Sequence, residues 1–452
     1  MRKFGRGAVV AGLVAALVAG GSFQAQAADA NCTPISKELS ARRLGKLYAY
    51  AEDITVGKVL VNVRSKQQTP SASVMKTITA AAAIKYLVHP REVAQLDPYV
   101  ASTKVYTIPN EPGTLVIKGG GDHSLTRVGS TSYTTYYLPG QHPAKLRIIA
   151  RNVLEALPAD TVITKIVLDD TFFQGPTWNP NWYAYSRTSG DASPITGLMV
   201  DAGRVNPDLT DKKYSGVRVS DPTLQTGKYF KQWLGTQAAG AKLVKGTTPE
   251  TAVELFSANS QPITNWIRHA LKISDNAETE VIARHTELAM QLPNHFTSVQ
   301  RMGRRLFSSL GADYKKLIMK DASGLAQDNR VTPLLLAQLM KSAADPASDL
   351  AALPSYMATS GDGGTLGGRF VAYNKTTKRY ELVIPYGSIR AKTGFIGGLY
   401  SLAGMITTPE NHTIVFAIFA RQDSARKLYV GSGTKDAIDG IVEKLYLCGS
   451  KP

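Results

Sequence analysis

Two residue types that together perform acyl transfer stand three positions apart in the chain, Ser73 and Lys76. At positions i and i+3 of a helix, two side chains lie on one face and reach each other. The alanine-rich stretch Thr77–Leu87 predicts a helix that begins near Ser73. A serine at a helix N-terminus lies beside free backbone N–H groups that hold a developing oxyanion. The spacing therefore predicts a serine nucleophile whose base is a lysine.

Two further motifs follow in the order that such chemistry needs, Ser274-Asp275-Asn276 and then Lys392-Thr393-Gly394. The patterns S-x-x-K and S-x-N also occur elsewhere in the chain, so either match alone carries little information. K-T-G occurs once, and of the S-x-x-K serines only Ser73 precedes both other motifs. Order and context together select these three segments.

The second motif lies on a short connection between two apolar helical segments, which predicts a place on an interior cleft wall. There Ser274 would pass the proton to the leaving group, and Asn276 would hold the substrate amide. The alternative is that Ser274 or Asn276 merely caps the helix predicted over residues 277–290.

The third motif lies on a predicted extended segment, residues 388–395. The edge of a strand that carries a lysine can pair with an extended peptide and hold its terminal carboxylate, with Lys392 and Thr393 on that edge. Gly394 admits a substrate backbone, and Phe395 would lend its N–H to the oxyanion hole. We expect burial and the nearby Lys392 ammonium to lower the pKa of Lys76. The alternative is an ordinary edge strand with a solvated lysine.

Apolar spacing outlines the elements that must position these residues. Together they predict an α+β protein, or α/β in the loose sense, in which residues 28–96 and 250–452 form one domain and residues 97–249 a β-rich insertion. The predicted helices cover residues 36–50, 263–271, 277–290, 296–310, 331–343 and 434–447, and the predicted strands include residues 48–52, 57–63, 105–108, 114–118, 163–168, 399–407 and 413–420.

The first 27 residues have the pattern of a secretory signal peptide: a basic start, an apolar run and Ala25-Gln26-Ala27 as the cleavage site. The alternative is an uncleaved membrane anchor, for which the run is just long enough. Export would place the two cysteines, Cys32 and Cys448, in an oxidising compartment, where a disulfide would tie the two ends together. The alternative is two buried thiols.

The formal net charge of +17 is strongly basic. In an exported chain this charge favours association with anionic wall polymers or a membrane surface over nucleic acid, which we do not expect as a partner. A general solvated charge is the alternative, because the basic residues are scattered. The chain has no G-x-S-x-G, phosphate-binding or H-E-x-x-H motif, and its seven histidines lack metal-ligand spacing, so neither metal nor cofactor is expected.

With these motifs, the chain resembles the D-alanyl-D-alanine carboxypeptidase/endopeptidase family, the low-molecular-weight class C penicillin-binding proteins. Flanking phrases agree with the family over most of the length: Gly119-Gly120-Gly121-Asp122, Asp170-Thr171-Phe172-Phe173, Asp321-Ala322-Ser323-Gly324-Leu325 and Ser401-Leu402-Ala403-Gly404. The resemblance implies a β-lactamase/transpeptidase-like catalytic domain with an insertion between the first two motifs. It also implies cleavage of peptidoglycan peptides and cross-links, and covalent inhibition by β-lactams.

The chain departs from the family pattern at three points. The interval from Ser73 to Ser274 looks short for the family, Ala322 stands where glycine is common, and Phe395 replaces a Thr or Ser. Phe395 has no hydroxyl for a substrate carboxylate. Two other interpretations therefore remain, a β-lactamase-like hydrolase and a non-catalytic wall-binding relative.

Overall fold

The computed structural model describes residues 35–127, 143–207 and 216–449. The predicted signal segment and Cys32 lie outside the described residues. Runs of helices and runs of strands follow one another along the chain, an α+β arrangement, as predicted. The strands are β1 Lys46–Asp53, β2 Lys58–Val63, β3 Ser102–Thr107, β4 Thr114–Gly119, β5 Lys165–Asp169, β6 Lys242–Lys245, β7 Val253–Asn259, β8 Ala358–Thr359, β9 Val371–Asn374, β10 Arg379–Leu382, β11 Ile389–Ile396, β12 Leu399–Thr407 and β13 Thr413–Arg421. The helices are α1 Ser36–Leu39, α2 Met75–Ala83, α3 His89–Val93, α4 Leu146–Ala156, α5 Ser186–Ser189, α6 Pro222–Trp233, α7 Ile263–Ile273, α8 Asn276–Ala289, α9 Val299–Ser309, α10 Pro333–Ala344, α11 Leu353–Tyr356 and α12 Ser432–Cys448.

The main sheet has six antiparallel strands in the order β2-β1-β13-β12-β11-β8. Strand β13 is apolar from Ile414 to Ala420 because it is buried on both faces. Phe416 and Ile418 face a core that includes α12, whereas Val415 and Ala417 face the core that holds α2 and α10. Because successive side chains point to opposite faces and both faces are covered, no polar alternation remains.

One sequence prediction fails at the start of the chain. The helix predicted over residues 36–50 is only α1, and strand β1 already begins at Lys46. Strand β1 pairs with β13 along its whole length, from Lys46 opposite Arg421 to Asp53 opposite Ile414. The strand prediction over residues 48–52 is therefore correct. Sheet pairing between distant segments outweighs the local helical spacing of the leucines.

The inserted region contains more helix than its sequence led us to expect. A five-stranded mixed sheet, β6-β5-β4-β3-β7, carries α4 and α6 over its own core. Helix α4 buries Leu146, Ile149, Ala150 and Val153, whose spacing is helical and was readable from the sequence. Strand β7 pairs with β3, so this sheet extends past the predicted boundary at residue 249.

Candidate active site

The nucleophile candidate Ser73 lies in a single 3-10 turn, Ala72–Val74, that leads directly into α2. Every residue of α2 is buried. The helix therefore holds its first turn rigidly against the core. Ala72 has a φ of +47°, a left-handed conformation that is strained for a residue with a side chain. The backbone of Gly324 packs against the Ala72 carbonyl and leaves no room for a Cβ.

The Lys76 amine, 1% exposed, makes three hydrogen bonds that define its chemistry. Its Nζ lies 3.0 Å from Ser73 Oγ, 2.6 Å from Asn276 Oδ1 and 2.7 Å from the Ser323 carbonyl. The two carbonyl-type oxygens only accept, so each fixes one N–H of the amine. The remaining position on the Lys76 nitrogen faces the Ser73 hydroxyl, which can donate its proton. A neutral Lys76 therefore presents its lone pair to the proton of Ser73.

The pKa of Lys76 is lowered to about 8 by its burial. Asp321, Asp275 and Glu280 act in the opposite direction, but burial outweighs their combined effect. The prediction that burial lowers this pKa agrees with the structure. The expected contribution of Lys392 to the pKa of Lys76 is not among the causes of this shift. Instead, burial and then the charge of Lys76 hold the pKa of Lys392 well below its usual value.

The rate of Ser73 acylation by a penicillin is expected to rise with pH and to level off above about 8, since only the neutral Lys76 amine accepts a proton. Below that value the rate should fall about tenfold per pH unit as the amine becomes protonated. Stopped-flow labelling with a fluorescent penicillin at low concentration measures this profile. A rate that stays constant across this range would contradict a lysine base with a lowered pKa.

Ser274 and Lys392 form the second half of the site. Lys392 is fully buried on β11, and its Nζ lies 2.9 Å from Ser274 Oγ and 2.9 Å from the Thr393 carbonyl. Ser274 ends α7 in a left-handed conformation with a φ of +69°. This conformation costs free energy in a residue other than glycine, and it places the Ser274 hydroxyl within reach of the Lys392 amine. The structure thus brings the second and third motifs into direct contact.

Asn276 begins α8 and connects the insertion to the site. Its Oδ1 accepts from Lys76, and its Nδ2 donates to the Asp191 carbonyl at 2.8 Å. These two bonds fix the orientation of the amide. The helix cap is neither Ser274 nor Asn276 but Asp275, whose carboxylate accepts from the Glu278 N–H at 2.8 Å. The alternative that Ser274 or Asn276 caps this helix is therefore wrong, because Asp275, the residue between them, is the cap.

The third motif lies on the edge of β11. Its outer side pairs with β8 only at Arg390 and Ala391, so among the described residues no strand covers the edge beyond that point. A Cβ on Gly394 would lie 2.2 Å from Ser401 Oγ and 3.1 Å from the Ser73 nitrogen. Only glycine allows β11 to approach the nucleophile so closely. The Phe395 ring is 64% exposed and packs on Tyr400, with ring centroids 4.7 Å apart.

The three motifs assign no role to several residues that support the site. The buried carboxylate of Asp321 accepts four hydrogen bonds, from the backbone of Gly324 and Ala326 and from the side chains of Asn329 and Trp182. Glu280 accepts from the backbone N–H groups of Ala322 and Ser323. Together they hold the turn that presents the Ser323 carbonyl to Lys76. The phrase Asp321-Ala322-Ser323-Gly324 was the available signal, but it does not show that a backbone carbonyl is the functional atom.

A cleft of about 370 Å³ opens above these groups. The residues that line it come from the three motifs and the residue after the third, from the segment after β8, from β12 and from the first half of α12: Ser73, Ser274, Thr365, Gly367, Arg369, Thr393, Gly394, Phe395, Tyr400, Ser401, Lys435 and Ile438. Among the residues described, no cluster of His, Cys, Asp or Glu is arranged to hold a metal ion. The polar side chains that the three motifs bring together are two serine hydroxyls, two lysine amines and the Asn276 amide.

Fold and site together define a serine acyl-transferring hydrolase. The model of the D-Ala-D-Ala carboxypeptidase 3 (S13) family matches residues 33–216 and 210–445. This chain therefore belongs to the D-Ala-D-Ala carboxypeptidase 3 (S13) family and is a serine-type carboxypeptidase of the penicillin-binding class, as the sequence motifs predicted.

The relatives agree over most of their length. The chain is 28% identical to a carboxypeptidase of Mycobacterium tuberculosis over 408 residues, covering 90% of this chain and 81% of the relative. It is 27% identical to carboxypeptidase DacB of Mycolicibacterium smegmatis over 425 residues, covering 92% and 84%. The crystal structure of penicillin binding protein 4 of Haemophilus influenzae has the same fold, with a TM-score of 0.68 at 16% identity, covering 92% of this chain and 99% of that one.

Cys448, the last residue of α12, takes part in a disulfide bond. The other cysteine of the chain, Cys32, lies outside the described residues, so the pairing of Cys32 with Cys448 stays a prediction. No helix in the described part of the chain is long and apolar enough to cross a membrane.

Proposed function

We propose that this carboxypeptidase cleaves D-Ala-D-Ala stem peptides and peptidoglycan cross-links through an acyl-enzyme on Ser73. Lys76 takes the Ser73 proton as the serine oxygen bonds to the carbonyl carbon of the penultimate D-Ala. The C–N bond then breaks, and Ser274 passes the proton to the leaving amine. Water hydrolyses the resulting ester and frees Ser73. The observation that carries this proposal is the Lys76 amine, held by two fixed acceptors with its remaining direction on Ser73.

The backbone supports a place for the developing oxyanion. The Thr393 carbonyl accepts from Lys392 and so faces the cleft. Because backbone direction repeats every second residue in a strand, the Phe395 N–H faces the same side as Thr393. The Ser73 N–H lies close by, as the 3.1 Å from a Cβ on Gly394 indicates. We assign these two N–H groups to the oxyanion hole.

The uncovered edge of β11 suits an extended peptide substrate. A stem peptide would add to the sheet beside Thr393 and Gly394, and the Asn276 amide would hold the substrate amide. The leaving residue carries a carboxylate, which would lie near Lys392 and Thr393. β-Lactams would enter the same cleft as covalent inhibitors.

The enzyme would act outside the cytoplasm after removal of residues 1–27, where its substrate polymer is found. We propose the domain division predicted from the sequence, a catalytic domain of residues 28–96 and 250–452 with residues 97–249 inserted, except that strand β7 belongs to the sheet of the insertion. The insertion contributes directly to the site through the Asp191 carbonyl on Asn276. Removal of residues 1–27 takes away Arg2, Lys3 and Arg6 and lowers the formal charge from +17 to +14, which still supports association of the protein with anionic wall polymers or a membrane surface.

Intact-protein mass spectrometry after mixing with benzylpenicillin tests the proposal. We expect one stable adduct on the native protein and none on Ser73→Ala. Ser71→Ala is the matched control, because Ser71 stands only two residues before Ser73 and its side chain is fully buried. This variant should form the same adduct as the native protein. An adduct that forms and quickly disappears would favour a β-lactamase, and no adduct would favour a non-catalytic relative. Release of D-Ala from a tripeptide that ends in D-Ala-D-Ala completes the test.

A further inference from the structure

The cleft lacks one group that its proposed substrate would need. The leaving D-amino acid carries a carboxylate next to the scissile amide, and hydroxyl groups are well suited to hold it beside a lysine. Thr393 offers one hydroxyl on the edge of β11. Phe395, two residues further along the same side, offers only an exposed ring.

A second hydroxyl lies across the same cleft, at Thr365. This residue sits in the 3-10 turn Gly364–Leu366, which packs against β11, and it lines the cavity together with Ser73, Ser274 and Thr393. The Thr365 Oγ1 is shielded from solvent, and within the described part of the chain no group forms a hydrogen bond with it. An unpaired shielded hydroxyl costs free energy. Rotation about its Cα–Cβ bond would break no internal hydrogen bond of this hydroxyl.

The turn that carries Thr365 is tied to the end of α7. A Cβ on Gly364 would lie 2.5 Å from the Lys272 carbonyl oxygen, and Gly364 has a φ of +81°. The Lys272 ammonium also bonds to Asp362 at 2.5 Å. Lys272 precedes Ser274 by two residues, so the turn and the proton-passing serine share one rigid support. This support holds Thr365 in place on the cleft wall.

The wall around Thr365 is positively charged. Arg369 lines the cleft and is buried against the carboxylate of Asp439, which it binds through Nε at 2.9 Å. Lys435, an exposed residue in the first turn of α12, lies on the same wall. The charge of Arg369 is neutralised by the carboxylate of Asp439, whereas Lys435 adds one positive charge to the cleft-lining residues. This excess of positive charge suits an anionic group.

We propose that the Thr365 hydroxyl, together with Thr393, binds the carboxylate of the leaving D-amino acid and so replaces the hydroxyl that is missing at position 395. This assignment rests on the proposed function of the site. The Thr365 O–H donates to a carboxylate oxygen once its side chain has rotated into the cleft. The free energy lost in the unliganded site is recovered when substrate binds, which makes Thr365 a specificity residue for a free carboxylate.

The test compares two substrates, a tripeptide ending in D-Ala-D-Ala and the same peptide with a terminal carboxamide. In Thr365→Val, kcat/KM for the free carboxylate is expected to fall about 10- to 100-fold, the loss typical of a hydrogen bond to a charged group. The carboxamide should change much less, so the preference for the carboxylate falls. Thr365→Ser keeps the hydroxyl and should retain the preference. Adding Phe395→Thr to Thr365→Val should restore it.

An equal fall for both substrates in Thr365→Val, or an unchanged preference, would overturn the assignment while leaving the peptidase function intact. If the native protein cleaves neither peptide, the proposed function itself fails, and this inference fails with it. Thr365→Ala is the second variant if the valine form does not fold, because it removes the hydroxyl without adding bulk. Circular dichroism and the melting temperature of each variant establish that it is folded.

Discussion

Replacing Lys76 with methionine is expected to slow acylation of Ser73 by about 10²- to 10⁴-fold, the contribution typical of a positioned general base. Methionine fills a similar volume and removes the amine that lies 3.0 Å from Ser73 Oγ. The serine then has no group to take its proton. The rate of labelling by a fluorescent penicillin, followed at a pH above 8, measures the effect because the native base is neutral there.

The same substitution leaves two acceptors unpaired, Asn276 Oδ1 and the Ser323 carbonyl, and it also removes a buried amine. A change in melting temperature must therefore be measured beside the acylation rate to separate folding from chemistry. Lys66→Met is the matched control, because the Lys66 side chain is exposed outside the cleft. Acylation at the native rate in a folded Lys76→Met protein would eliminate Lys76 as the base.

Gly324→Ala is expected to lower the free energy of unfolding by about 2–6 kcal/mol, the sum of about 1–3 for overpacking and about 1–3 for backbone strain. Its Cβ would lie 1.9 Å from the Ala72 carbonyl oxygen, and its φ is +86°. Both contacting atoms belong to rigid segments, so neither moves away easily. Because Ala72 precedes Ser73 and Ser323 holds Lys76, acylation should fall in the protein that still folds. Urea denaturation and penicillin labelling measure the two effects.

Gly311→Ala separates the two causes. Gly311 also has a positive φ, +64°, but a Cβ there would meet no atom within 4 Å in the described residues. In Gly311→Ala the free energy of unfolding should fall only by the cost of the left-handed conformation, about 1–2 kcal/mol. The acylation rate should stay unchanged. Equal losses in the two variants would show that the contact between Gly324 and Ala72 contributes nothing.

Several features of the site were predictable because they depend on neighbours in the sequence. The spacing of Ser73 and Lys76 on one helical face is a local property of the backbone, and the structure confirms their contact. The helices after residue 262 and the terminal hairpin followed from apolar spacing alone, since each buries a face that its own sequence marks. The order of the three motifs selected, among their repeats, the serine and the S-x-N segment whose side chains contact Lys76 and Lys392 in the structure.

The remaining features depend on residues far apart along the chain. The helical spacing of residues 36–50 gives way to strand β1 because β13, near the end of the chain, pairs with it. The Ser323 and Asp191 carbonyls are backbone groups, which every residue has. Residue types therefore cannot show which carbonyls contact the site.

The amino-acid sequence by itself determined which side chains are candidates for the chemistry, the class of fold and the family to which the chain belongs. The tertiary structure decided how far burial lowers the pKa of Lys76, which backbone groups orient its amine and which face of the cleft offers Thr365. The physical reason is that burial and electrostatic interactions sum over all neighbours in space, and most of those neighbours are distant in sequence.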